Sequence, residues 1–193
     1  MTISLYKDGQ RLYVTREERK RLLAAADSLP PLENTLCQTL VHTGCRISEA
    51  LSLHHGSIDL AEKQVVIESL KKRKTGIFRA VPVPASYIAR MAEIHDLNAS
   101  SDSTAQLWPW HRTKAWQIVK SALELADIRG PWATPKGLRH AFAVYAIASE
   151  VPLHLIQRWM GHSSMKTTAI YLQAIGKEER EIAARMWPNE PIK

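Results

Sequence analysis

The chain has 193 residues, enough for one substantial domain, and its 26 Lys and Arg against 19 Asp and Glu leave a formal charge of +7. That basic balance favours a polyanionic partner, nucleic acid first. The two cysteines, Cys37 and Cys45, form no Cys-x-x-Cys pair, so neither a structural zinc site nor a disulfide framework is suggested, and both read as small core hydrophobes. No apolar run reaches the length of a membrane span, and the first residues lack a signal peptide's apolar stretch, so a soluble, cytoplasmic protein with no membrane partner is expected.

The first organised element opens at Thr15. Thr15-Arg-Glu-Glu18 has capping-box spacing, and a helix with Leu22, Leu23 and Ala26 on one side follows. Pro30-Pro31 is expected to end it. A second helix is predicted from about Leu32 to Thr43, with Leu36, Leu40 and Val41 inward and Gly44 just past its end. A short third helix covers Ile47 to Leu53. Then the period changes. Gln64–Ile67 and Ala80–Val83 read as two strands flanking a basic turn, and Pro82 and Pro84 suit only an edge strand or its end. Helix resumes from Ser86 to about Leu97, and a polar loop follows from Asn98 to Thr104. Thr113–Ile128 is predicted helical, with Trp116, Val119, Leu123 and Ala126 near one face. Further helices are predicted over Leu138–Ser149, with Phe142 and Tyr145 at core spacing, over Pro152–Met160, and over Met165–Leu172. Lys177–Met186 reads as a charged terminal helix.

Three stretches carry chemistry. In His42-Thr-Gly-Cys-Arg46-Ile-Ser-Glu49 an arginine follows a helix stop and opens the next helix, a place that also favours anions. A surface ion pair of Arg46 with Glu49 explains the same pattern about as well. In Lys71-Lys-Arg-Lys74-Thr-Gly-Ile-Phe-Arg79 the crowded cations are tolerable in water and favourable beside phosphate; a solvated basic turn is the plainer alternative. The third stretch is Thr134-Pro-Lys136-Gly-Leu-Arg139-His140, followed by Gly161-His162-Ser-Ser and Tyr171. Alone, His162 reads as a structural histidine and Tyr171 as a core aromatic; the order and spacing of the set say more.

In that order the stretches resemble the tyrosine recombinases (phage-integrase family). Thr43-Gly-Cys-Arg46-Ile-Ser-Glu49 is similar to the family's first arginine box, and Lys74-Thr-Gly76 with Arg79-Ala-Val-Pro82 to its lysine hairpin. Leu138-Arg139-His140 resembles the second arginine box. Trp159-Met-Gly-His162-Ser-Ser164, Thr167-Thr168 and Tyr171 resemble the nucleophile box. The resemblance runs from about Thr15 to Leu172. It implies that Arg46 and Arg139 hold the non-bridging oxygens of a scissile phosphate, a role suited to always-protonated forks. It further implies that Tyr171 attacks phosphorus to give a 3′-phosphotyrosine link and a free 5′-hydroxyl. His162 would donate to the phosphate or orient Tyr171. Lys74 would protonate the leaving oxygen, with Lys72 in reserve. The covalent link conserves bond energy, so no cofactor and no metal are implied.

The sequence departs from the family in two places. Lys136 stands where the family usually has His. Lysine keeps a donor for phosphate but cannot serve as a neutral imidazole base, so a phosphate contact is expected of it. His140 reads as a helix or supporting residue rather than a replacement base. Residues 1–14 are also too few for the DNA-clamping domain that family members carry in front, so weaker and steeply salt-dependent binding is expected.

The reading is thus an α+β, mostly helical fold with a small antiparallel sheet, as in the catalytic domain of the tyrosine recombinases. Residues 1–14 form an extension, 15–175 the catalytic unit and 176–193 a tail. That tail either docks on a neighbouring protomer through Ile182, Met186 and Trp187 or folds back on its own core. The expected activity is site-specific recombination or integration of double-stranded DNA. Exchanging two duplexes means cutting every strand, one active site each, hence self-association into a tetramer on DNA, with an accessory DNA-binding protein as a further partner. A type IB topoisomerase-like relaxing enzyme and a non-catalytic DNA-binding regulator are the alternatives.

Overall fold

A computed structural model describes residues 5–70, 76–99, 102–174 and Met186. The segment read as an extension folds. β1 (Tyr6–Lys7) and β2 (Gln10–Arg11) pair antiparallel around Asp8-Gly9. Both turn residues have positive φ (50° and 75°), which is what a two-residue hairpin loop requires. The capping box then opens α1 (Arg16–Ala26) as predicted. Thr15 Oγ1 accepts from the Glu18 N–H at 3.3 Å, and Glu18 Oε2 accepts from the Thr15 N–H at 2.8 Å. The same carboxylate takes a bidentate grip from Arg11 and a bond from Trp132 Nε1. One buried glutamate thereby ties hairpin, helix and a distant loop together.

Pro30-Pro31 starts α2 (Pro31–Thr43) rather than stopping α1, which has already ended at Asp27. Proline in the first turn lacks only an N–H that has no intrahelical partner anyway. α2 stops at Gly44, in the left-handed region at φ 60°. A Cβ there would lie 2.5 Å from Phe142 Cδ1. Gly44→Ala therefore meets both backbone strain and overpacking. We expect a loss of about 2–5 kcal/mol, measured by urea denaturation.

α3 (Ile47–Leu51) follows at once and is shorter than predicted. A strand not anticipated from the sequence, β3 (Ile58–Asp59), joins β4 (Gln64–Glu68) and β5 (Phe78–Pro82) in an antiparallel sheet of order β3-β4-β5. Pro82 thus closes an edge strand, as expected. Residues 71–75 between β4 and β5, and with them Lys72 and Lys74, lie outside the described residues.

The remaining described helices are α4 (Ala85–Ile94), α5 (Arg112–Leu125), α6 (Pro135–Ala148), α7 (Leu153–Met160) and α8 (Met165–Ala169), with a 3-10 turn at Ile170–Ala174. α5 buries Ala115, Ile118, Val119, Ala122 and Leu123; Trp116 faces solvent, contrary to expectation. α6 starts a turn earlier than predicted because Thr134 caps it, accepting from the Gly137 N–H. Tyr145 is only half-buried, and Arg16 and Arg19 lie over its ring. The main core fills the space among α1–α6 and the three-stranded sheet. A smaller apolar cluster, holding Ala143, Val144, Ile156, Met160 and Tyr171, lies between α6 and α7. Cys37 and Cys45 are buried and unpaired, and burial pushes both thiols up, to about 12 and about 11. Among the described residues no helix is long and apolar enough to cross a membrane, and no group of His, Cys, Asp and Glu could hold a metal. The predicted terminal helix, apart from the exposed Met186, lies outside the described residues.

Candidate active site

The site is assembled where α2, α6 and α7 end or begin against the sheet. Arg46 caps α3, and two of its groups go to Glu49: the backbone N–H donates to Oε2 at 2.9 Å and Nη1 to Oε1 at 2.6 Å. The ion-pair reading of Arg46 is thus met in the geometry. Glu49 is fully buried, and its Oε2 also accepts from Arg79 Nη2 at 2.7 Å. Burial alone would raise the Glu49 carboxyl. The Arg79 charge, the Arg46 N–H and the Arg46 charge outweigh it and hold the pKa below its ordinary value.

Two guanidinium groups cap the end of α7. Arg79 Nε donates to Trp159 O at 2.7 Å, and Arg139 Nη2 to Met160 O at 2.5 Å. The last carbonyls of a helix lack intrahelical donors and carry negative partial charge, so cations belong there. Arg139 Nη1 also reaches Gly44 O at 2.7 Å, linking the end of α2 to the end of α7. Each Arg139 terminal nitrogen keeps a second hydrogen, so the fork still has donors for an anion. Burial and the nearby Arg46 lower its pKa to about 10, and it stays charged at neutral pH. Arg79 was not singled out as a site residue from the sequence, yet it is buried at the centre of the cluster.

α7 ends at Gly161, φ 62°, and the next residue is His162. A Cβ at Gly161 would lie 3.1 Å from Arg79 Nη1, so the backbone passes close over that guanidinium. His162 Nδ1 sits 3.0 Å from the hydroxyl of buried Thr168, which fixes the ring. The His162 ring stacks on Tyr171, with centroids 6.2 Å apart and planes 4° from parallel. Tyr171 is 1% exposed, and its hydroxyl lies 2.9 Å from His140 Nδ1. His140, read from the sequence as a supporting residue, is the direct partner of the phenol. Burial pushes Tyr171 up to about 12, against the opposing charges of Arg139 and Arg46, so both guanidinium groups act on this phenol.

Four of the six predicted site residues, Arg46, Arg139, His162 and Tyr171, are therefore in one place. Lys136 lies exposed in the first turn of α6, one helical turn before His140. Lys74 is outside the described residues. The foot of its hairpin is joined to the cluster, because Ser69 Oγ accepts from Arg79 Nη1 at 3.1 Å.

The electrostatic balance is lopsided. Arg46 and Arg79 both bond the Glu49 carboxylate, Arg139 bonds only backbone carbonyls, and both carboxylate oxygens are already engaged. Burial, Arg139 and Arg46 lower His162 to about 3; burial, Lys136 and Arg139 lower His140 to about 4. Both imidazoles are neutral at pH 7, and an entering anion would be attracted from several sides. Elsewhere, burial with Arg19 holds His42 at about 4, and burial with His55 holds His95 at about 4. Against an unfolded value of 6.5, these four groups are protonated in the unfolded chain before the folded one. Their stabilising effect is intact above pH 6.5 and is lost as pH falls toward about 4. Urea midpoints measured across that window should decrease steadily; a flat profile there would show that the imidazoles take up protons without unfolding the chain.

The model of the phage integrase family matches residues 13–178. Tyrosine recombinase XerA of Thermococcus kodakarensis is 30% identical over 167 residues, covering 82% of this chain and 56% of the relative. This chain thus spans little more than half the length of that curated relative. Among solved structures, the XerA recombinase superposes with a TM-score of 0.78 at 24% identity, covering 94% of this chain and 67% of that one. XerH, described as a site-specific recombinase in a post-cleavage complex with palindromic difH substrate, gives 0.75 at 22% identity, covering 97% and 57%. The fold is that of these recombinases' catalytic domains, and the chain belongs to the phage integrase family.

Proposed function

We propose that this chain is the catalytic domain of a cytoplasmic site-specific DNA recombinase or integrase, which cleaves and rejoins duplex DNA through a 3′-phosphotyrosine bond at Tyr171. The observation that carries the reading is the meeting of Arg46, Arg139, His162 and Tyr171 around one under-neutralised cluster of positive charge. In this scheme Arg46, the more exposed of the two arginines, and the free hydrogens of Arg139 hold the non-bridging oxygens of the scissile phosphate. Charge builds on those oxygens as the phenol attacks, and fixed donors aimed at it typically contribute about 10²–10³ in rate apiece. His162, steadied by Thr168, offers its second nitrogen to the phosphate. Lys136 adds a phosphate contact from the exposed first turn of α6. Lys74, or Lys72, protonates the departing 5′-oxygen.

Residues 15–175 form the catalytic unit, with 1–14 and 176–193 as flanking segments. The palindromic difH substrate in the XerH complex supports double-stranded DNA as the partner. A tetramer on DNA, with an accessory DNA-binding protein, is the assembly the chemistry calls for. The test uses a pool of short duplexes of randomised sequence, each nicked so that a cleaved end diffuses away. Adducts that survive detergent are digested and weighed. A nucleotide-bearing peptide containing Tyr171 is expected. Absence of any adduct across the pool, or an adduct on another residue, defeats the reading.

A further inference from the structure

Among the described residues the Tyr171 hydroxyl has one hydrogen-bond partner, and it is neither His162 nor Lys136. His140 Nδ1 lies 2.9 Å from it, with ring centroids 5.6 Å apart and planes at 49°. His162 instead lays its ring parallel to the phenol, and its Nδ1 is engaged by Thr168. Lys136, where the family usually places an imidazole, is an ammonium with no lone pair to offer. We infer that His140 takes up the phenol proton as Tyr171 attacks, so that this chain carries its general base directly after Arg139 instead of three residues before it.

The inference rests on the recombinase reading. In the forward step the O–H proton passes to His140 Nδ1, the Tyr171 O–P bond forms and the P–O5′ bond breaks. The 5′-oxygen receives a proton from a lysine ammonium of the basic turn. Rejoining reverses each transfer: the 5′-hydroxyl attacks phosphorus, and the imidazolium returns its proton to the departing phenolate.

Three further observations support the assignment. His140 is nearly fully buried, so its ring is held by packing. Its Nε2 is buried and has no partner among the described residues, a cost that a purely structural histidine would be expected to avoid. The groups acting on it are Lys136 and Arg139 from its own helix, with Tyr171 and His162 facing it from the other side. α1 and α2 also pack on α6, but they turn Arg19 toward Tyr145 and His42 toward Tyr87. Burial, with the charges of Lys136 and Arg139, keeps the imidazole neutral in the free protein, and a phosphate charge arriving at the site would move its pKa toward neutrality, where a general base works best.

The test compares wild type with His140→Asn and His140→Gln on a nicked duplex recovered from the randomised pool. Asparagine keeps an acceptor near the place of Nδ1 but cannot carry the proton. Cleavage should slow by about 10²–10⁴-fold, with DNA affinity unchanged and the fold retained, and the acid-side fall of the wild-type rate should vanish. A bridging 5′-phosphorothiolate, which leaves without a proton, should not rescue the Asn variant. Wild-type or faster cleavage, an unchanged pH profile, or rescue by the sulfur leaving group overturns the inference while leaving the recombinase reading intact. Collapse of the fold in both variants assigns His140 to packing and overturns it as well. If wild type itself forms no adduct, the recombinase reading falls and takes this one with it.

Discussion

A Tyr171→Phe protein is expected to bind the recovered duplex as wild type does and to form no covalent adduct. The substitution removes one oxygen and leaves the ring, so the stack on His162 and the apolar cluster with Ile156 and Met160 survive. The positive field of Arg46, Arg79 and Arg139 is untouched, and that field is what phosphate would feel. The cost to the fold comes from elsewhere. His140 Nδ1 loses its partner inside the protein, and an unsatisfied buried polar group costs about 1–3 kcal/mol. For a chain of this size that corresponds to a fall in melting temperature of about 2–12 °C. Binding by fluorescence anisotropy, adduct formation on denaturing gels and a thermal melt together make the check. A Phe variant that still forms adduct would move the nucleophile to another residue.

Much of this was legible in the sequence where the signal is local. Thr15 and Glu18 are three residues apart and cap one helix; Gly44 follows α2 and stops it; Pro82 confines its strand to the sheet edge. Each of these is decided by neighbours along the chain. The Asp8-Gly9 turn is equally local, but its flanking strands are only two residues long and show no alternation. β3 is as short and shows no alternation, so it could be seen only through its pairing with β4. Pro30-Pro31 in sequence suggests a stop because proline breaks helices, although its fixed φ also suits a first turn. Among the site residues, Arg46, Arg139, His162 and Tyr171 came from ordered motifs. Arg79 and His140 lie inside the same motifs, but their roles are not legible there, because those depend on contacts between distant segments. Nothing near Arg79 in sequence says that this strand side chain turns inward to Glu49, Ser69 and Trp159. Nothing near His140 points to Tyr171, which lies beyond both α7 and α8 in the chain.

Glu49 is the residue whose loss should damage the fold most. It is fully buried and joins Arg46 at 2.6 Å and Arg79 at 2.7 Å, and the Arg79 side chain is itself only 3% exposed. Glu49→Gln keeps the shape and removes the charge, leaving Arg79 buried among carbonyls and a hydroxyl with no anion. Breaking a buried pair from one side costs about 3–5 kcal/mol, whereas the exposed Lys20–Glu17 pair is worth about 0–1 kcal/mol at most. We therefore expect Glu49→Gln to lower the melting temperature by about 6–20 °C and Lys20→Ala to leave it nearly unchanged. The pH dependence gives a second check. The Glu49 pKa is depressed in the folded state, so its contribution is present above the unfolded value of 4.5 and is lost as pH falls below it. Wild type and Glu49→Gln should converge in stability on acidification, because protonation does to the wild type what the substitution has already done. Parallel curves, with the same gap at pH 7 and pH 3, would mean that the carboxylate matters for its shape alone. Convergence would identify charge as what binds the strand carrying Arg79 to the helix end carrying His162, and through them holds Arg46 in place.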